Sequence, residues 1–195
     1  MSLNFGNIWS TGSKPNTINI NNSRRKYTQN KLVLPVKRPT QKNSGLGTKS
    51  YWGTPTWFLF HSLAEKVNPT KYEKHYLKVW QFIKAVCYSL PCPFCKEHAT
   101  SYVNRINNTQ INTKDKLIEV LFRFHNDVNL RTGKAQMSRE ILRKYKSSNL
   151  NNILKLFLER FFVSYVGRRH FDDWIKNRLK DKTYTFWDFY TKNLL

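Results

Sequence analysis

The sequence predicts an all-α protein: a helical bundle preceded by a basic, extended arm and followed by a helical extension. Apolar residues from Tyr51 onward recur at i, i+3, i+4 and i+7, the spacing of one helical face, and no stretch alternates with the period of two that marks a strand. The breaks between periodic stretches fall at Pro69, Pro91 and Gly133, residues that stop or start helices. Neither an internal repeat nor a Gly-rich phosphate loop is present.

Residues 1–50 carry nine Lys or Arg and no Asp or Glu, and their aromatics are Phe5, Trp9 and Tyr27. So little apolar surface cannot repay the entropy of folding, and the segment reads as an arm that a partner or assembly would order. The first helix is expected from Thr54, which can cap, with Pro55 at the first helical position and Trp57, Phe60, His61 and Ala64 on one face. Thr70 and Glu73 have capping-box spacing for a second helix, whose stripe includes Tyr72, Val79, Ile83 and Cys87. On that stripe Cys87 reads as a small buried apolar residue.

Between the second and third helices lies Leu90-Pro91-Cys92-Pro93-Phe94-Cys95. Pro93 suits the first turn of a helix, so Cys92 is expected at a helix N-terminus, where unpaired amides and the macrodipole favour a thiolate. Such a pair either exchanges electrons as a dithiol and disulfide or contributes half of a zinc site. Thr113 opens a fourth helix that ends near Gly133; along it His125 and Asn129 share a face, with Asn126 beside them. Polar groups on an inward face need polar company, so a buried network or a pocket for a flat polar ligand is expected there. Ser138 is expected to cap a helix through Ile141, Leu142 and Tyr145, and residues 147–195 continue as amphipathic helices.

The formal net charge of +22 predicts salt-sensitive attraction to polyanions, without a helix-turn-helix, finger or RNP signature for reading a base sequence. No run of 18 apolar residues and no apolar signal core occurs, so a soluble, unsecreted protein without a membrane span is expected. Three cysteines are too few for a disulfide scaffold. A thioredoxin-like fold would need strands around the pair and a later proline, and Pro93 is the last proline. A zinc site from Cys92, Cys95, His98 and His125 would leave His61 and the asparagines unexplained.

Taken together, Trp52-Gly53-Thr54-Pro55-Thr56-Trp57 with His61, Cys92-Pro93-Phe94-Cys95, and His125-Asn126-Asp127-Val128-Asn129 with Gly133-Lys134 resemble the Erv/ALR-type FAD-linked sulfhydryl oxidases, most closely in the style of members from large DNA viruses. The resemblance implies a four-helix bundle with a short fifth helix over residues 51–146, between an arm at 1–50 and an extension at 147–195. It implies FAD, with Gly53, Trp57, His61, His125, Asn126, Val128, Asn129, Lys134 and Tyr145 around it and no metal. It implies catalysis by Cys92, attacked as the more exposed sulfur, and by Cys95, nearer the flavin, with electrons passing to dioxygen to give hydrogen peroxide.

The implied partners are protein thiols or a thioredoxin-like relay, and a second copy in a homodimer. A capsid or other assembly could hold the arm. The implied setting is intracellular, the host cytoplasm for a viral member, with incorporation in the virion. A second Cys pair, which many relatives use as a shuttle, has no counterpart here. The rival expectation is a structural particle protein that uses the oxidase fold as a scaffold.

Overall fold

The structure is a computed structural model and describes residues 48–165 and 173–195. The expected arm therefore lies, up to residue 47, outside the described residues. Those described are helical with no strand: α1 (Lys49–Lys66), α2 (Pro69–Cys87), α3 (Pro93–Arg105), α4 (Lys114–Arg131), a single-turn α5 (Arg143–Lys146), α6 (Leu150–Val163) and α7 (Asp173–Asn193). One turn of 3-10 helix precedes α4 and another, Arg139–Leu142, precedes α5.

Two helix starts differ from the sequence reading. α1 begins six residues before Pro55, because the Thr48 hydroxyl accepts from the Tyr51 amide and supplies an earlier cap. Pro55 then sits inside the helix, where it lacks an amide to donate to the Tyr51 carbonyl. α2 begins at Pro69, capped by the Asn68 side chain accepting from the Lys71 amide, and the Thr70 and Glu73 box does not form. The other starts agree: Cys92 caps α3 with Pro93 at its first position, and Thr113 caps α4. Ser138 makes no side-chain cap, and the residues after it form a 3-10 turn running into α5.

α1 packs against α4, α5 and α6, while α2 packs against α3, α4 and α7. The extension thus shares the bundle's core: Phe157 and Phe161 of α6 and Tyr190 of α7 are fully buried, and Trp52 of α1 meets Phe161 edge to face. Buried tyrosines tie distant backbone together. Tyr72 donates to the Ile111 carbonyl at 2.6 Å, Tyr190 donates to the Leu63 carbonyl at 2.8 Å, and Tyr165 donates to the Ser89 carbonyl just before the cysteine pair. Cys87 is buried among apolar side chains, and burial pushes its thiol well above the usual range. No helix among the described residues is long and apolar enough to cross a membrane.

Candidate functional site

The α2–α3 turn delivers the two cysteines to one end of the bundle. Cys92 has the extended backbone of an N-cap, and its sulfur accepts from the Cys95 amide at 3.4 Å. The two sulfurs lie 2.7 Å apart, close enough to exchange with each other. The order of exposure is the reverse of the expectation. Cys92 is 8% exposed, whereas Cys95 is half-buried.

Cys95 lies on the stripe of α3 that faces α4. One turn on, His98 Nε2 sits 2.7 Å from Asp127 Oδ2, and a further turn on the Tyr102 ring stacks on Phe124 with centroids 4.2 Å apart. Phe124 in turn meets Trp57 of α1 edge to face at 5.1 Å. A continuous aromatic wall therefore runs from the cysteine helix to α1.

On α1 and α4 the inward polar groups converge as the spacing predicts. Trp57 stacks on His125 at 4.1 Å, nearly parallel, and His61 stacks on Tyr145 of α5 at 4.6 Å. His61 Nε2 meets His125 Nδ1 at 3.1 Å, a contact that requires one ring to donate and the other to accept. Both imidazoles are held neutral. Burial, the neighbouring His125 and the Lys144 cation push His61 down to about 3. Burial, Lys144 and Lys134 push His125 down to about 4.

The remaining expected residues take distinct parts. The Asn126 side chain clamps the loop after α4, donating to the Met137 carbonyl at 3.2 Å and accepting from its amide at 2.7 Å. Asn129 is 9% exposed, and its side-chain amide makes no hydrogen bond among the described residues; its carbonyl accepts from the Lys134 amide at 2.9 Å. Gly133, at φ 69°, makes that reversal possible. Val128 is a half-buried part of the apolar wall. Gly53 lies one turn before Trp57, and a Cβ there would meet nothing within 4 Å, so no close approach within the described residues requires glycine at that position.

Three participants have no part assigned to them in the sequence reading. Lys144 has its Nζ 4.9 Å from the Phe58 ring and 5.0 Å from Tyr145, and it acts on both histidines. Met137 is the partner of Asn126, and Asp127 that of His98. The zinc alternative is not assembled: His98 engages Asp127, His125 engages His61, and no group of three or more His, Cys, Asp or Glu among the described residues could hold a metal ion. A groove of ≈ 480 Å³ opens elsewhere, between Lys66, Leu150 and Trp187, away from the cysteines.

These residues fit a flavin. A planar ring needs flat walls, which Trp57, His125, His61 and Tyr145 supply. Its heteroatoms need polar partners, and the Asn129 side-chain amide makes no hydrogen bond among the described residues. A pyrophosphate needs cations, and Lys134 and Lys144 stand near enough to act on His125.

Comparison with known proteins agrees. The model of the Erv1 / Alr family matches residues 54–150. A FAD-linked sulfhydryl oxidase of African swine fever virus (isolate Tick/Malawi/Lil 20-1/1983) is 34% identical over 104 residues, 53% of this chain and 87% of its own. The protein of the same name from the Pig/Kenya/KEN-50/1950 isolate is 31% identical over 117 residues, covering 60% of this chain and 94% of its own. A protein of Invertebrate iridescent virus 6 is 31% identical over 101 residues, 48% of this chain and 89% of its own. No solved structure matches. With residues 54–150 matching that family's model and a 34% identical relative matched over 87% of its own length, the chain belongs to the Erv1/Alr family.

Proposed function

We propose that the protein is an FAD-dependent sulfhydryl oxidase that forms disulfides in protein thiols, with Cys92 and Cys95 as the exchanging pair. The observation that carries this reading is the pair at the N-terminus of α3, sulfurs 2.7 Å apart, on the aromatic wall that leads to Trp57 and the two neutral histidines.

A client thiolate attacks the Cys92 sulfur of the pair's disulfide and forms a mixed disulfide, releasing Cys95 as thiolate. The client's second thiolate then attacks that mixed disulfide, leaving with a disulfide of its own and freeing Cys92. The Cys95 amide, which points at the Cys92 sulfur, and the α3 N-terminus stabilise negative charge on it. Cys95 is given the inner role because its stripe faces α4, so a group bound against His125 would cover the sulfur that is now half-exposed. Bound there, FAD would accept two electrons from the dithiol and return them to dioxygen as hydrogen peroxide. Trp57 and Tyr145 would hold it by stacking; the Asn129 amide and whichever ring nitrogens the histidine pair leaves unused would orient it.

Gly53, Val128 and Asn126 would line this site, and Lys134 would neutralise the cofactor's phosphate. Such an oxidase serves a compartment that otherwise keeps thiols reduced. For a viral chain, like the relatives named above, that is the host cytoplasm, and carriage in the virion and a homodimeric state belong to the same proposal.

The test is the visible spectrum of the purified protein together with oxygen uptake on dithiothreitol. Flavin should remain bound in Cys92→Ser and Cys95→Ser while uptake stops. Given a client whose two thiols are already joined in a disulfide, Cys95→Ser should accumulate a client mixed disulfide at Cys92, the client's other sulfur leaving as thiolate. A colourless protein overturns the reading, and accumulation at Cys95 in Cys92→Ser alone overturns the order of attack.

A further inference from the structure

At the mouth of the cysteine pair two large apolar side chains face solvent. Phe94 is 65% exposed and Leu130 67%, two of the seven large apolar side chains exposed among the described residues. They stand on different helices, yet the geometry brings them to one level. α3 and α4 run antiparallel, with Tyr102 stacked on Phe124 and, one turn on, His98 against Asp127. A further turn toward the start of α3 reaches Phe94 and Cys95; the same step toward the end of α4 reaches Leu130 and Arg131.

The ground beyond them is basic. Residues 131–146, which leave the end of α4, carry six Lys or Arg against one Glu. Of the six, Arg139 is paired with Glu119, and Lys134 and Lys144 are assigned to the flavin pyrophosphate, which leaves Arg131, Arg143 and Lys146 for an acidic client. The full chain carries +22.

Resting on the oxidase reading above, we propose that Phe94 and Leu130 form the docking collar for the protein client. The occupant is a segment that presents an apolar side chain next to its reactive thiol within an acidic stretch. The apolar side chain covers Phe94 and Leu130, and the acidic flank meets Arg131 and the basic loop after it. Such a collar gives a slow thiol a long residence beside the pair, because burying a large apolar side chain raises affinity by roughly an order of magnitude. A small dithiol, with nothing to place on the collar, gains nothing from it.

The test separates docking from redox chemistry. Two fluorescein-labelled 12-residue peptides with Ser in place of both thiols are compared by fluorescence anisotropy on the full chain, one with Leu beside the first Ser and Glu flanks, the other with Ser and Lys there. The first should bind about tenfold more tightly. Leu130→Ser and Phe94→Ser should each weaken it about fivefold or more, and Arg131→Glu should weaken it in low salt but not in high salt.

On the flavin-loaded protein, Leu130→Ser should leave oxygen uptake with dithiothreitol unchanged while kcat/KM for the thiol-bearing form of the first peptide falls by the same fivefold. Equal binding of the two peptides overturns the proposal. So does full affinity in both apolar variants, which would leave general electrostatic attraction as the whole effect. Anisotropy needs no electron transfer, so a failed oxidase reading would show in the dithiothreitol assay instead. Both side chains are exposed, and unchanged thermal melting of the variants confirms that the fold is intact.

Discussion

His61 Nε2 and His125 Nδ1 lie 3.1 Å apart, joining α1 to α4 across 64 residues of sequence at the centre of the site. Each ring is held far below its usual value, to about 3 and about 4. The unfolded chain binds protons near pH 6.5 and the folded one does not, so stability is lost as pH falls below 6.5 and the loss levels off only near the folded values. At pH 5.5 the two sites together should cost about 3 kcal/mol relative to pH 8. Urea titrations at the two values check this, and His125→Gln should remove about half of the difference. A pH-independent midpoint would contradict the neutral pair.

Tyr190 is fully buried, and its hydroxyl donates to the Leu63 carbonyl at 2.8 Å. Tyr190→Phe removes that bond while the Leu63 carbonyl keeps the Val67 amide at 3.2 Å, and it should cost about 0.5–1.5 kcal/mol by denaturant titration.

Gly133 adopts φ 69° with open space around its Cβ position. Gly133→Ala should therefore cost only the backbone penalty of the left-handed conformation, about 1 kcal/mol. A loss of several kcal/mol would show a steric role that the geometry lacks.

Asn126 holds Met137 through both atoms of its amide group. Asn126→Ala should release the segment after α4, where Arg131, Lys134 and Arg139 offer tryptic sites, and limited trypsinolysis should cut there several-fold faster than in the parent protein.

Phe157 lies at 0% exposure where α6 covers α1. Phe157→Ala should cost about 3–5 kcal/mol. A chain ending at Ser147 should associate or precipitate, because α1 would lose the helix that covers it; a monodisperse, folded 1–147 fragment would show residues 51–146 to be independent after all.

The parts of this structure that follow local periodicity were legible in the sequence. Trp57, His61, His125 and Asn129 fall on inward faces because a helix repeats every 3.6 residues, and Cys92 caps α3 because Pro93 fixes the first turn. Tyr145 came through the family resemblance as a cofactor neighbour, and its ring stacks on His61.

Competing local signals misplaced two helix starts. Thr54-Pro55 and Thr48 both make acceptable beginnings, and packing of Trp52 against Phe161 favours the longer helix. At Asn68-Pro69 the proline opens α2 instead of merely closing α1. The exposure of the cysteines was illegible because the turn that carries them is also tied to residues far along the chain, Tyr165 reaching the Ser89 carbonyl across 76 residues. Lys144 and Met137 reach the site across a loop, where no periodic rule applies.

The tyrosine clasp between α7 and α1 has a consequence for synthesis. The Leu63 carbonyl leaves the ribosome 127 residues before the hydroxyl that seats on it, a delay on the order of 10 s at ordinary elongation rates. For most of that interval, until residue 165 is made, the cysteine turn also lacks Tyr165. A nascent chain therefore carries its reactive sulfurs on an unbacked bundle, and only translation to the last helix completes the scaffold that aims them.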